Sequence, residues 1–214
     1  MRDARGPDQA LTAVQGALVT LSAAIASADA VSVAREAAAA VAAGVSPSAL
    51  YETILQSYLF VGFPRAIEAL FAARPVLDRA GGVPKTAAPV DPGAAERDGE
   101  ALCRTVYGRN YEKLMETMHS LSPDLASWMI LEGYGKTLSR PALGPVEREY
   151  GVVAILTVTR MWRQLRSHAI GAVNVGGTRA GVREAIERCR PWVGDDGIAE
   201  AIRIAGLENH HAGR

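Results

Sequence analysis

"AAAAVAAGVSPSALYETILQSYLFVGFPRAIEAL", residues 37–70, has a second copy further along the chain. Moved by 132 positions, it lies without a gap over "AIGAVNVGGTRAGVREAIERCRPWVGDDGIAEAI", residues 169–202. Ala40, Val41, Gly44, Glu52, Ile54, Val61, Gly62, Glu68 and Ala69 then fall on Ala172, Val173, Gly176, Glu184, Ile186, Val193, Gly194, Glu200 and Ala201. Alanine-rich helices match one another by chance, but shared glycines, glutamates and a shared stop-and-start pattern are harder to obtain that way. The chain therefore reads as two fused copies of one unit. In the first copy Gly44 supplies a helix stop and Ser46 a helix start, with Pro47 at the first helical position, where its missing N–H is no loss.

The surrounding sequence is helical in pattern. Apolar residues recur at three-to-four spacing over 8–27, 30–43, 47–60 and 64–79. The same spacing predicts helices near 96–118, 122–137, 145–161, 163–175, 179–189 and 195–206. No alternating pattern competes, so the fold class is all-α. "RAGGVPKTAAPVDPGAAERDG" is rich in Gly, Pro and Ala and has no period. The organisation expected is a first repeat over 8–80, a linker over 81–95, and a second repeat over 96–207 that carries an N-terminal extension.

Composition narrows the function. With 214 residues, 49% of them hydrophobic, the chain can bury a sizeable core. A formal net charge of zero argues against a nucleic-acid or anionic-membrane surface. No apolar run approaches the ~18 residues of a membrane span, and "MRDARGPDQA" lacks the apolar stretch of a secretory signal. Cys103 and Cys189 stand far apart, without C-x-x-C or zinc-ligand spacing. A reduced, cytoplasmic protein with no metal and no cofactor is expected. His210 and His211 lie in a polar tail and His119 on a polar helix face; none is assigned a role.

The chemistry concentrates in "RMWRQLRSHAIGAVNVGG", residues 160–177. Gln164 and His168 stand at i and i+4, so they share a helix face. Gly171 continues that face without a side chain and is expected to leave room for a ligand. Imidazole exchanges protons near neutral pH, as lactone decarboxylation or double-bond migration requires. Glu149 is placed to orient that ring or to serve as the acid. Arg140, Arg148 and Arg163 are candidates for gripping a carboxylate, with Arg163 the more solvated. Each has a plainer reading: a core histidine bonded to a backbone carbonyl, a glutamate suiting a helix N-terminus, an arginine tying down a loop. Trp128, Met129, Leu131 and Tyr134 read as core.

"SRPALGPVEREYGVVAILTVTRMWRQLRSHAIGAVNVGGTRAGVREAI" resembles the carboxymuconolactone decarboxylase family, relatives of the AhpD alkylhydroperoxidases. "GEALCRTVYGRNYEKLMETMHSLSPDLASWMILEGYGKTLSRPAL" resembles the N-terminal extension of the decarboxylase branch, and "YETILQSYLFVGFPRAIEAL" the family's closing helices. The resemblance spans about residues 10–205 and implies an AhpD-like all-α bundle that assembles as trimers or hexamers. The peroxidase branch has a glutamate followed by C-x-x-C-x-x-x-H. Counting back from His168, those positions hold Glu149, Met161 and Gln164, so acid and histidine remain and both cysteines are absent. Without a thiolate, peroxidase chemistry through this motif is disfavoured. In the first copy the positions of Glu149, Gln164 and His168 hold Ala17, Ser32 and Glu36. That copy is expected to lend only pocket walls, through Tyr58, Phe60 and Phe63.

The resemblance implies a cofactor-free lyase or isomerase acting on a small anionic unsaturated lactone or carbonyl acid. His168, Glu149 and Gln164 would be catalytic, and Arg148, Arg140, Tyr58, Phe60 and Phe63 would bind substrate. A catalytically silent ligand-binding or scaffold protein is the alternative, and an alkylhydroperoxidase the third reading. Two copies per chain make a homotrimer the expected assembly, with a dimer second.

Overall fold

The computed structural model describes residues 10–83 and 90–208, so His210 and His211 lie outside the described residues. Among the described residues the structure is helical and contains no strand. The first repeat is α1 (Ala13–Ser27), α2 (Ala30–Ala42), α3 (Pro47–Gln56) and α4 (Tyr58–Arg79). The second is α8 (Pro145–Val158), α9 (Trp162–Asn174), α10 (Arg179–Glu187) and α11 (Arg190–Ile204). Between them lie α5 (Pro92–Tyr107), a 3₁₀ turn (Gly108–Asn110), α6 (Tyr111–Leu121), α7 (Pro123–Trp128) and a π-helix (Met129–Leu138).

The duplication is exact at the level of helix starts. Ala13, Ala30, Pro47 and Tyr58 open helices whose counterparts open at Pro145, Trp162, Arg179 and Arg190, all at the same offset. Ser46 caps α3 by accepting from the Ala49 N–H, and Thr178 caps α10 by accepting from the Gly181 N–H. Gly62 (φ 79°) and Gly194 (φ 69°) kink α4 and α11 at equivalent points. Ala28 (φ 61°) and Arg160 (φ 56°), the non-glycine residues with positive φ among the described residues, are equivalent as well. Gln15 Nε2 donates to Glu147 Oε1 at 2.8 Å, and these two are also 132 apart. Equivalent residues that touch each other mark a pseudo-two-fold axis, here at the crossing of α1 and α8.

Local signals account for most boundaries. The first helix starts at Ala13 rather than near residue 8, because Thr12 and Gln15 form a reciprocal capping box. The helix expected from residue 96 begins earlier, at Pro92, inside the stretch read as linker, where the Asp91 side chain accepts from the Gly93 N–H. It also breaks at Gly108 (φ 53°) instead of running on to 118.

Three apolar clusters hold the molecule together. One lies in the second repeat around Val152, Leu165 and Ile186, one in the first around Leu21, Leu50 and Leu77, and one in the extension around Cys103, Ile130 and Tyr134. The extension closes on itself by backbone contact. A Cβ on Gly99 would stand 2.3 Å from the Ile130 carbonyl oxygen, and one on Gly135 would stand 2.0 Å from that of Ala95. α5 and the π-helix can meet this closely only because glycine faces backbone on both sides. The wide π turn is visible in the Ser139 N–H, which donates to the carbonyl of Tyr134 five residues back. The pair then covers α9 of the second repeat, and a cavity remains between them.

Candidate active site

α8 and α9 pack side by side, and their contact buries a titratable pair. His168 Nδ1 lies 2.8 Å from Glu149 Oε2, with both side chains almost fully buried. The carboxylate accepts only, so the ring donates through Nδ1 and Nε2 is left for a ligand. Phe60 of the first repeat stands edge-on to the imidazole, with ring centroids 5.7 Å apart. Tyr107 of α5 is tilted against it from another side at 6.3 Å. These contacts fix the ring in one orientation. Glu149 therefore does more than suit a helix N-terminus.

His168 lines a cavity of about 520 Å³. Arg163, Gln164 and Ser167 belong to the same wall, all on α9. α6 and α7 line the cavity chiefly with hydrocarbon, from Leu114, Met118, Leu121, Leu125 and Trp128 with Thr117 among them, and the π-helix adds Glu132. Tyr107 and Tyr134 also line it, with ring centroids 6.3 Å apart. Burial pushes both phenols above the usual tyrosine range, so they stay protonated as donors.

The candidates sort by place. His168 and Glu149 come together, Gln164 stands one turn away on the cavity wall, and Phe60 lines the cavity. Arg148 does not reach it. Its guanidinium is sealed between α8 and α3, bonded to Glu52 Oε2 at 3.1 Å, Gln56 Oε1 at 3.0 Å and the Arg140 carbonyl at 2.9 Å. Arg140 is drawn to the other oxygen of the same carboxylate, Nε to Glu52 Oε1 at 2.7 Å. Neither arginine is placed to grip a ligand in this cavity. The cation on its wall is Arg163. Tyr58 hydrogen-bonds Thr137 at 2.9 Å and stacks on Phe63, which faces outward.

Gly171 corrects a further expectation, because it does not open space for a ligand. A Cβ there would meet Val106 Cγ1 at 2.7 Å and Glu149 Oε2 at 3.1 Å. The missing side chain admits α5 and the glutamate carboxylate instead. Of the row Trp128, Met129, Leu131 and Tyr134, read from the sequence as core, Tyr134 belongs to the core of the extension and Met129 packs against it, and both also line the cavity. Trp128 departs from that reading: it is 57% exposed on the cavity wall. A signal was present. Leu114, Met118, Leu121, Leu125 and Trp128 are spaced 4, 3, 4 and 3 residues apart, a stripe that runs straight through the helix break at Ser122–Pro123.

Both thiols are buried. Burial, reinforced by the negative charge of Glu149, pushes Cys103 up to about 12, and burial raises Cys189 further. Among the described residues no cluster of His, Cys, Asp and Glu is arranged to hold a metal, and no helix is long and apolar enough to cross a membrane.

A duplicated all-α bundle with a buried His–Glu dyad on the wall of an apolar cavity defines the class. The carboxymuconolactone decarboxylase family profile matches residues 1–75, which are the first repeat rather than the second, where the dyad stands. Over 160 residues the chain is 30% identical to peroxisomal protein 2 of Schizosaccharomyces pombe, covering 72% of each protein. The chain belongs to the carboxymuconolactone decarboxylase family.

Proposed function

We propose that the chain is a cofactor-free lyase or isomerase of unsaturated carbonyl acids, with His168 as its acid–base group. The observation that carries this reading is the buried Nδ1–Glu149 bond in a ring that lines a ligand-sized cavity. In decarboxylation the C–C bond to the carboxylate breaks, carbon dioxide leaves, and the electron pair passes into the unsaturated carbonyl as a dienolate. The Tyr107 hydroxyl donates to the dienolate oxygen. The Nε2–H of a protonated His168 delivers the proton to carbon, and water reprotonates the ring. In isomerisation the neutral ring takes a proton from one carbon and returns it to another. Glu149 holds Nδ1 throughout and steadies the imidazolium. Gln164, on the cavity wall, would bond a substrate oxygen, and Arg163, rather than Arg148 or Arg140, would anchor the carboxylate.

The test is turnover in D₂O. Unsaturated lactone acids and β,γ-unsaturated acids are incubated with the protein, and deuterium uptake and carbon dioxide release are followed by NMR. His168→Ala is expected to lower both by about 10²–10⁴-fold while remaining folded. Equal rates in the variant would overturn the acid–base role. A second reading, a silent ligand-binding protein, is favoured by the first repeat, which holds Glu36 where His168 would stand. Ligand binding without deuterium uptake on any of these acids would favour it. For the peroxidase reading, the buried thiols give no support. We also propose a homotrimer. Phe63, Ile67 and Phe71 leave an apolar stripe exposed along α4, and light scattering should give three times the 22.6 kDa chain mass.

A further inference from the structure

The two long walls of the cavity differ in kind. α9 presents Arg163, Gln164, Ser167 and His168. The α6–α7 wall is a stripe of hydrocarbon that continues outward past the rim, where Leu121 is 73%, Leu125 53% and Trp128 57% exposed. Contiguous apolar surface left open to water marks a place that something apolar covers. At about 520 Å³ the space is that of a drug-sized ligand rather than a compact ring. A small, fully charged lactone would leave its anionic groups against leucine and tryptophan, with their hydration lost and nothing returned.

Charge selects the occupant. Two charged side chains line the cavity: Glu132, paired with Lys136 at 2.9 Å, and Arg163, which is exposed and enters no ion pair among the described residues. α6 and α7 carry Glu112, Glu116 and Asp124 against Lys113, so the rim repels an anionic lipid surface. One free acid group is matched by the single guanidinium of the polar wall; its remainder must be hydrocarbon.

We propose that this cavity takes an amphipathic carbonyl acid, its carboxylate held on the α9 wall by Arg163 and Gln164 and its alkyl or aryl tail laid along Leu114, Met118, Leu121, Leu125 and Trp128. The proposal deepens, and rests on, the reading of His168 as the reacting centre of the same cavity. The head group places the carbons next to its carbonyl beside the imidazole, and the tail supplies most of the affinity.

The full-length protein is titrated by calorimetry with straight-chain saturated carboxylates from butanoate to dodecanoate, and with dodecanol. Affinity should rise about fourfold per methylene, the increment for taking a methylene out of water, until the tail passes the rim. Trp128→Ala and Leu125→Ser should flatten that rise for the longer acids and leave butanoate unchanged. Arg163→Gln should weaken every carboxylate about tenfold and spare dodecanol. A flat series overturns the proposal, as does a rise that Phe71→Ser, on the distant α4 stripe, reduces as much as Trp128→Ala. So does a flat series in which Trp128→Ala dissociates an oligomer, since a second copy then covers the rim. His168→Ala separates the two readings. An intact chain-length series with turnover unaffected by the substitution sinks the catalytic role alone. A flat series with His168-dependent turnover of a short lactone acid sinks the amphipathic substrate alone.

Discussion

With Nδ1 committed to Glu149 at 2.8 Å, His168 has one nitrogen left for chemistry, and the tautomer follows from the partner. Glu149→Gln keeps the shape of that partner and removes its charge. An amide can donate as well as accept, so the ring is free to reverse its tautomer and turn Nε2 from acceptor into donor. We expect turnover to fall about 10²-fold, with a displaced pH–rate profile and unchanged ligand affinity; an unchanged profile would make Glu149 merely structural. The cysteines give a second prediction at this scale. A thiol raised to about 12 is protonated throughout the neutral range, and its thiolate fraction at pH 8 is about 10⁻⁴. Thiol reagents should therefore leave Cys103 and Cys189 unmodified in the native protein at pH 8 and titrate both in denaturant. The sign is fixed by direction: raising the pH toward 12 increases thiolate and hence Cys103 labelling, and lowering it suppresses labelling.

Among elements, the seam between α5 and the π-helix decides whether the cavity exists. Gly135→Ala would press a Cβ to 2.0 Å from a backbone oxygen, which cannot rotate away. The cost should exceed the usual ~1–3 kcal/mol of overpacking and part the two helices, read as a lowered urea midpoint together with lost ligand binding. Gly171→Ala meets the end of the Val106 side chain and the Glu149 carboxylate, so it should cost less stability and disturb the dyad more. This contrast also explains what the sequence disclosed. The starts at Ser46 and Thr178, the proline at 47 and the duplicated glycine kinks are local chemistry and were legible. Gly171 was legible as a gap but not as to what fills it, because Val106 and Glu149 arrive from other helices. The seam beside the π-helix was not legible because the backbone that Gly99 and Gly135 each face comes from a distant part of the chain. Arg148 was misassigned because its partner Glu52 lies 96 residues away.

For the whole molecule, the pseudo-two-fold axis exposes a swap between repeats. At one site the Glu52 carboxylate on α3 meets the guanidinium of Arg148 on α8, with Gln56 beside it. At the related site Glu184 on α10 meets Arg188 one turn along the same helix, and that guanidinium lies against Gly16 on α1, 2.7 Å from where a Cβ would stand. Gly16 is the counterpart of Arg148, and Arg188 of Gln56. Each half of the fold thus places a cation beside the same glutamate, but reaches it from opposite helices. Arg148→Gly alone empties a sealed volume and leaves Glu52 with Arg140 only, which should cost about 3–5 kcal/mol. Adding Gln56→Arg rebuilds the arrangement of the other repeat, and the Arg148 void gives the new side chain its space. Recovery should be partial, because Arg188 is 39% exposed where Gln56 is sealed, and the Arg140 carbonyl loses its donor. A coupling of about 2 kcal/mol in a double-mutant cycle, measured by urea unfolding, is the expected result. Additive losses would mean that the two sites, though related by the duplication, no longer share a common way of neutralising their glutamate.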